Sequence, residues 1–146
     1  MNETAVVILN WNGLDYLKMF LGTVVKFSSN LDSVIYVADN FSTDGSQEWL
    51  TDNFKDVKLI RFDRNHGFAG GYNLALNQID ARYFVLLNSD IEVTEGWLQP
   101  LASFMEKDPD VASCEPKIKS CYHRDDFGHA GAAGGCLDKE GYPFCR

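Results

Sequence analysis

An apolar run in this sequence ends abruptly in three polar residues, Asn88, Ser89 and Asp90. An Asp carboxylate is a hard oxygen ligand of the kind that Mg²⁺ and Mn²⁺ take. Mg²⁺ in particular is often held by one or two carboxylates, while waters and phosphate oxygens fill its other positions. Asp90 could therefore hold a divalent cation against a diphosphate. The alternative interpretation is a plain turn, because Asn, Ser and Asp are the residues that turns prefer.

Two further stretches place chemically useful groups after an apolar run. In VADNFSTDGS, the Asp39 carboxylate could accept a hydrogen bond from a base edge or a ribose hydroxyl, or could belong to a turn that caps a helix. In RNHGFAGGYN, the glycines Gly67, Gly70 and Gly71 precede a predicted helix and would let the backbone approach an anion. Their spacing is not GxGxxG, and they do not follow the first strand. The sequence thus argues against a dinucleotide-binding site.

The elements that must position these residues follow from the apolar pattern. Short apolar runs typical of strands covered on both faces lie at 5–9, 34–38, 57–62 and 83–87. Apolar residues at helical spacing, together with capping residues, predict helices at about 14–25, 42–54, 72–79 and 95–107. We expect Asn12 or Gly13 to start the first helix, Ser42 or Thr43 to cap the second, and Pro100 to kink the last.

Strands that alternate with helices predict an α/β fold with a mostly parallel sheet flanked by helices. In open sheets of this kind, ligands bind beyond the carboxyl ends of the strands. The residues that follow the predicted strands are polar in each case: Asn10 and Asn12, Asp39 and Asn40, residues 63–65, and residues 88–90. The sequence therefore predicts one polar edge at which all the candidate residues meet.

The chain after residue 107 has a weaker pattern. We expect a strand near 111–118, and a glycine-rich tail that forms either a β-hairpin about residues 138–141 or a loop. The apolar residues Leu137, Tyr142 and Phe144 flank that turn and favour the hairpin. The cysteines at 114, 121, 136 and 145 fit no common zinc spacing, so buried reduced thiols are expected, with a zinc site involving His123 or His129 as the alternative.

Composition excludes several classes of function. The 146 residues are 45% hydrophobic, enough for one packed core, and their net charge of −8 argues against nucleic acid or an anionic membrane surface as partner. No apolar run approaches the roughly 18 residues that a transmembrane helix needs, and the first residues do not resemble a signal peptide. We expect a cytoplasmic protein, either free or peripheral at the inner face of the membrane.

Four stretches taken together resemble the nucleotide-sugar-binding portion of a family 2 glycosyltransferase with the GT-A fold, of the rhamnosyltransferase-like branch. They are VVILNWNG, VADNFSTDGS, RNHGFAGGYNLAL and VLLNSDIEVTEGWL, and the resemblance covers residues 4–105. It implies a metal-assisted, inverting transfer of a sugar from a nucleotide-diphosphate donor to a glycan or lipid-linked acceptor. It also implies that residues 1–146 are a single domain truncated at its C-terminus.

The resemblance assigns a role to each matching residue. Asn10 and Asp39 would hold the base and ribose, while Arg64, Asn65, Gly67 and Asn73 would line the nucleotide and sugar side of the cleft. Asn88, Ser89 and Asp90 occupy the position of the family's DXD motif. Asn88 there replaces the usual first Asp, and Asp90 would bind Mg²⁺ or Mn²⁺.

The sequence departs from the family after Asp110, because no residue there matches the catalytic base. A second hypothesis is therefore a non-catalytic nucleotide-sugar-binding or assembly module, whose tail would expose apolar surface and pair two copies in a homodimer. A nucleotidyltransferase shares the expected architecture but needs a glycine-rich loop with Arg after the first strand. The stretch NWNG stands there instead.

Overall fold

A computed structural model of the protein describes residues 2–28, 32–121, 123, 136–137 and 143–144. The chain divides into two compact units, Met1–Leu98 and Gln99–Arg146. The first unit carries every candidate nucleotide-sugar-binding and Mg²⁺- or Mn²⁺-binding residue, whereas the residues of the zinc alternative belong to the second. Among the described helices, none is both long and apolar enough to cross a membrane.

The first unit is built on a four-stranded sheet in which every described pairing is parallel. The strands are β1 (Asn2–Asn10), β2 (Ser33–Asp39), β3 (Lys58–Arg61) and β4 (Ala81–Asn88), in the order β3-β2-β1-β4. All four predicted strands and their parallel arrangement are confirmed. In the observed register Asn10 pairs with Asp39, and Leu9 pairs with Asn88.

Helices cover both faces of the sheet because β1 is apolar on both. Val6 and Ile8 face one core cluster, which they share with Leu17 and Leu21 of the first helix, α1 (Leu14–Ser28). On the opposite face, Ala5 and Val7 pack in a second cluster with Tyr72, Ala75 and Ile79. Burying an aliphatic side chain of this size contributes about 1.5–3 kcal/mol, so these two clusters fix β1 as the centre of the unit.

Helix α2 (Ser46–Asn53) begins later than predicted, and the proposed caps were wrong. Its N-cap is Gly45, at φ 86°, which makes no side-chain cap hydrogen bond. Ser42 and Thr43 both precede Gly45 and bond instead to Asn12, in the turn after β1: Ser42 Oγ accepts from the N–H of Asn12, and the backbone N–H of Thr43 donates to Asn12 Oδ1. Residues 42 and 43, which the sequence suggested as helix caps, thus bond to the turn after the adjacent strand.

Helix α3 (Gly67–Leu76) begins earlier than the predicted start at 72, so the glycine cluster lies inside the helix rather than before it. A Cβ at Gly71 would lie 2.7 Å from Leu9 Cδ1, closer than side chains pack. Gly71 therefore lets α3 approach β1. Apolar periodicity could not detect this role, because a glycine adds no apolar side chain to the pattern.

The second unit differs from its prediction in two places. Helix α4 (Gln99–Lys107) starts after 95, so Pro100 lies in its first turn, where a missing N–H is tolerated, and not in the helix interior, where it would cause a kink. The strand predicted at 111–118 is wrong: these residues are irregular and almost all exposed, so no burial stabilises an extended strand there. The antiparallel pairing expected of the hairpin is confirmed, with β5 (Cys136–Leu137) paired to β6 (Pro143–Phe144), and the predicted turn at 138–141 lies outside the described residues.

The prediction of buried cysteines is wrong at both positions whose burial the structure describes. Cys114 and Cys121 are thiols, but both are exposed rather than buried. Cys145 and His129 of the zinc hypothesis lie outside the described residues.

Candidate functional site at the carboxyl edge of the sheet

The four parallel strands end at one edge, as the sequence predicted, with Asn10, Asp39, Arg61 and Asn88 as their last residues. Strands β2 and β4 flank β1, so the turns after them are two strand spacings apart, or about 10 Å. The positions of Asp39 and Asp90 are thus on the same side of the unit. We call the residues 10–14, 39–47, 61–67 and 88–90 the carboxyl edge.

Asp39 is fully buried and accepts three hydrogen bonds. Its Oδ1 accepts from the backbone N–H of Ser42 at 2.9 Å and from Nε2 of Gln47 at 2.7 Å. Its Oδ2 accepts from Nδ2 of Asn10 at 2.9 Å. Asn10 is also fully buried, and its Nδ2 lies 3.1 Å from Ser42 Oγ. The carboxylate therefore joins the ends of β1 and β2 to helix α2.

The turns after β1 and β2 are bonded to each other. The backbone N–H of Asn12 donates to Ser42 Oγ at 2.9 Å, and that of Thr43 donates to Asn12 Oδ1 at 2.8 Å. Asn12 has φ 51° and Phe41 has φ 70°, the left-handed region that side chains disfavour. In these turns the side chains of Trp11 and Phe41 are 61% and 51% exposed, so both aromatic rings are accessible to solvent.

Asp44 completes this connection. Its Oδ2 accepts from the backbone N–H of Leu14, the first residue of α1, at 2.8 Å, and its Oδ1 accepts from the backbone N–H and the hydroxyl of Ser46. Burial opposes ionisation of this carboxyl, but the hydrogen bonds from Ser46 and Leu14 outweigh it and lower the pKa of Asp44. One ionised side chain thus supports the starts of both α1 and α2, where a negative charge also suits the helix dipoles.

Asn40 organises the loop after β3. Its side chain, almost fully buried, donates to Asn65 Oδ1 at 3.0 Å and to the carbonyl of Gly67 at 3.1 Å, and accepts from the backbone N–H of His66 at 2.9 Å. Asn65 in turn accepts from the N–H of Gly67 at 2.7 Å. Gly67 has φ 71°. The loop that leads into α3 is therefore held by the turn after β2.

His66, the last residue before α3, is partly buried. Its ring lies 3.2 Å from Asp63 Oδ1 and meets Phe62 edge-on at 5.6 Å. The hydrogen bond with His66 lowers the pKa of Asp63. Since Asp63 is almost fully exposed, this pair orients the imidazole more than it stabilises the fold.

The turn after β4 holds the candidate metal ligand. Asn88 and Asp90 are exposed and Ser89 is partly buried. A Cβ built on Gly13 would lie 2.6 Å from Asn10 Oδ1 and 3.4 Å from Ser89 Oγ, so the turns after β1 and β4 approach each other with no room for a side chain at Gly13. Asn10 Oδ1 has no hydrogen-bond partner among the described residues.

Two predicted residues are less closely tied to the edge. Arg64 is exposed in the loop after β3, and its positive charge acts on Asp63. Asn73 is exposed on α3, about 9 Å along the helix axis from Gly67. No described hydrogen bond joins either side chain to the rest of the carboxyl edge.

Concave regions also occur elsewhere on the unit. One, of about 270 Å³, is lined by Val25, Ser28, Ile35 and Val57 among others, near the amino end of β2. Another, of about 450 Å³, lies beside α2, includes Leu50, Phe54 and Leu59, and touches the carboxyl edge only at Arg61. Both are wide open and mainly apolar, and neither gathers polar groups as the carboxyl edge does. The chemistry therefore favours the carboxyl edge.

Sequence reasoning missed Asn40, Ser42 and Gln47 as organising residues. Asn40 and Ser42 could have been found from the sequence, because both are polar and come just after the end of a buried strand. Gln47 carried none, since a Gln in a helix is usually a solvent-exposed residue and its two partners come from different strands.

The sequence profile described as Glycosyl transferase family 2 matches residues 5–132. The chain belongs to this family. A teichoic acid poly(glycerol phosphate) polymerase from Staphylococcus epidermidis is 25% identical over 127 residues, an alignment that covers 75% of this chain and 18% of that protein. The chain therefore spans less than a fifth of this relative.

Solved structures share the fold of this family 2 member. S. aureus TarS 1–349 matches with a TM-score of 0.64 at 18% identity, over 81% of this chain and 40% of that chain. The mannosyltransferase PcManGT from Pyrobaculum calidifontis, solved with GDP-Man and Mn²⁺, matches with a TM-score of 0.63 at 16% identity, over 80% of this chain and 33% of that one. The expected GT-A fold is thereby confirmed.

Proposed function

We propose that the carboxyl edge binds a nucleotide-diphosphate sugar and that the family 2 member acts as a glycosyltransferase on it. The observation that carries this proposal is the convergence of the turns after β1, β2 and β4 on one edge, with the Asp90 carboxylate exposed there. A donor lying across that edge would meet the aromatic turns at its base and Asp90 at its diphosphate. TarS, which shares the fold, has been solved with UDP and with UDP-GlcNAc.

The residues after β4 suit a divalent cation. Asp90 offers one carboxylate, and Asn88 and Ser89 offer neutral oxygens, which are all hard donors of the kind that Mg²⁺ and Mn²⁺ take. The described residues contain no group of three or more acidic, His or Cys side chains that could hold an ion by themselves. The diphosphate would therefore supply the remaining ligands, and metal and nucleotide would bind together.

The reaction that fits is an inverting transfer. The acceptor hydroxyl oxygen attacks the anomeric carbon, the bond from that carbon to the diphosphate oxygen breaks with its electron pair leaving on the phosphate, and a base removes the hydroxyl proton. When bound, Mg²⁺ or Mn²⁺ supplies positive charge to the diphosphate leaving group. Arg64, Asn65, Gly67 and Asn73 are proposed to face the nucleotide and sugar, and Asn88 to border the diphosphate. The base and the acceptor, a glycan or a lipid-linked sugar, are not assigned.

Metal-dependent binding tests this proposal. We expect the chain to bind UDP, dTDP or GDP more tightly with Mn²⁺ than with EDTA, measured by titration calorimetry. We expect Asp90→Ala to remove that difference, because the carboxylate is the charged ligand in the turn. Asp80→Ala, at an exposed residue before β4 and hence at the other end of the strand, is the matched control. Binding that does not depend on Mn²⁺ and is unchanged in Asp90→Ala would contradict the proposal.

Turnover separates the two functional hypotheses. Hydrolysis or transfer of the sugar from a nucleotide sugar by this chain would refute a non-catalytic binding module. The homodimer suggested by the sequence stays a prediction that the molar mass in solution can test.

A further inference from the structure

A buried hydroxyl bonds to the end of the strand that leads to Asp90. Tyr72 of α3 is 4% exposed, and its hydroxyl donates to the carbonyl oxygen of Leu87 in β4 at 3.0 Å. The direction of this bond is fixed, because a carbonyl can only accept. Leu87 is three positions before Asp90. Tyr72 therefore ties α3 to the strand end from which the turn at Asp90 begins.

The same hydroxyl lies where β1 and β4 stop pairing. The last paired residues of these two strands are Leu9 and Asn88. Burial raises the pKa of Tyr72, and a hydrogen bond from the backbone N–H of Leu9 partly offsets that rise. The hydroxyl thus contacts the ends of both strands. At neutral pH it keeps the proton that it donates to Leu87.

The packing of α3 brings the hydroxyl to this place. A Cβ at Gly71 would lie 2.7 Å from Leu9 Cδ1, so the absence of a side chain at Gly71 lets α3 lie close against β1. Phe68, one turn earlier in α3, meets the ring of Tyr72 edge-on, with the ring centroids 5.1 Å apart. A Phe at position 72 would fill the same space. The specific contribution of the Tyr is therefore its bond to Leu87.

The turn after β4 has few anchors of its own. Within the described part of the chain, no hydrogen bond involves the side chains of residues 88–90. A backbone hydrogen bond in the turn, from the N–H of Ile91 to the carbonyl of Asn88, is long at 3.4 Å. The turns after β1 and β2, by contrast, are bonded to each other several times. The bond from Tyr72 to Leu87 is thus the described side-chain hydrogen bond nearest to this turn along β4.

Asp90 needs a fixed position if it is to hold a cation. Mg²⁺ demands near-ideal octahedral geometry with ligands at about 2.0–2.1 Å, and the groups of a functional site must be held to within about 0.5 Å. Asp90 is exposed and is the only carboxylate among residues 88–90. Its position is set by the backbone on either side, which Tyr72 fixes at Leu87 and the buried side chain of Val93 fixes after the turn.

We propose that Tyr72 is a positioning residue for the turn at Asp90. Its hydroxyl holds the end of β4 so that the Asp90 carboxylate meets a divalent cation on the donor diphosphate, and Tyr72 itself contacts neither cation nor donor. This rests on the proposed function. In the sequence, Tyr72 shows only the helical spacing of an apolar face, which does not indicate the role.

Tyr72→Phe tests the proposal, because it removes the hydroxyl and keeps the ring. We expect the affinity for UDP in the presence of Mn²⁺ to fall about fivefold, the effect of losing one hydrogen bond, and the affinity with EDTA to stay unchanged. Titration calorimetry measures both. Tyr36→Phe is the matched control, since Tyr36 packs against the same apolar cluster and its hydroxyl has no hydrogen bond among the described residues.

Two further measurements distinguish positioning from a general loss of packing. If Tyr72 acts through Asp90, Tyr72→Phe should not weaken UDP binding further in an Asp90→Ala background. In the metal-free protein, we expect Tyr72→Phe to speed the exchange of the amide protons of residues 88–91 about fivefold, measured by NMR. The amide protons of residues 39–42, in the turn after β2, should exchange as they do in the wild type.

The outcomes separate this proposal from the proposed function. If the wild type binds UDP and Tyr72→Phe keeps the wild-type ratio of affinities with Mn²⁺ and with EDTA, the positioning role alone is overturned. Unchanged amide exchange at residues 88–91, or an equal loss of affinity in Tyr36→Phe, would overturn it as well. A wild-type chain that binds none of UDP, dTDP and GDP with Mn²⁺ would overturn the proposed function, and the positioning role with it.

Discussion

Replacing Asp39 with Asn tests whether the buried carboxylate stabilises the carboxyl edge. Three donors converge on its two oxygens, at 2.9, 2.7 and 2.9 Å. An amide of the same shape has one acceptor oxygen, and its NH₂ group would face a donor. At least one of the partners, Asn10, Ser42 or Gln47, would therefore lose its acceptor at a side chain that has no exposed surface.

The expected size of the effect follows from that count. A buried donor left without a partner costs about 1–3 kcal/mol, and a hydrogen bond to a charged group contributes about 1.5–3 kcal/mol. We expect Asp39→Asn to lower the free energy of unfolding by about 2–3 kcal/mol. At about 3 °C per kcal/mol for a chain of this length, the melting temperature would fall by roughly 6–9 °C.

Urea unfolding followed by far-UV circular dichroism measures this loss, with thermal melting as a second assay. Asp52→Asn, at an exposed residue of α2, makes the same chemical change without touching the network and should stay within about 0.5 kcal/mol of the wild type. If Asp39→Asn lost no more stability than this control, the three hydrogen bonds would not be holding the edge together.

Two other substitutions test contacts around the edge. Gly71→Ala should destabilise the protein by about 1–3 kcal/mol, because the new Cβ would lie 2.7 Å from Leu9 Cδ1. Gly70→Ala is the control and should be neutral or stabilising, because its Cβ would meet only ordinary contacts. Equal changes in the melting temperature of the two variants would contradict this prediction. Asp44→Asn should lose stability relative to the wild type at neutral pH. Burial opposes ionisation of Asp44, but hydrogen bonds from Ser46 and Leu14 lower its pKa below the ordinary 3.8. The difference in stability between the wild type and Asp44→Asn should therefore shrink only as the pH falls below this value. A difference in stability that grew in acid would refute the prediction.

Much of the fold could be predicted because β1, β2 and β4 are buried apolar runs that end in polar residues. The parallel sheet and its single polar edge followed from that pattern and from the alternation with helices. The starts of α2 and α3 could not be predicted so well. Ser42 and Thr43 have the side chains of helix caps, but Ser42 Oγ accepts from Asn12 in the neighbouring turn, and the backbone N–H of Thr43 donates to the Asn12 side chain, so both residues belong to the turn and not to α2.

The candidate site was predictable in position but not in the orientation of its groups. Asp39 and Asn10 lie at the ends of adjacent strands, as the apolar pattern predicted. Whether such a side chain faces a ligand or the interior depends on donors elsewhere in the chain, such as Gln47 on α2 and Arg61 on β3. A single sequence does not reveal these donors, because each is polar and compatible with an exposed position.

The bonds between the turns after β1 and β2 join residues about thirty positions apart, with helix α1 between them. The N–H groups of Asn12 and Leu14 donate to the turn after β2, and the N–H of Thr43 donates to the turn after β1. Neither turn can therefore open while the other stays closed. The carboxyl edge, which we propose binds the nucleotide, is for this reason a cooperative unit. Its amide protons should exchange with solvent through one shared opening, and a ligand bound at either turn would slow exchange at both.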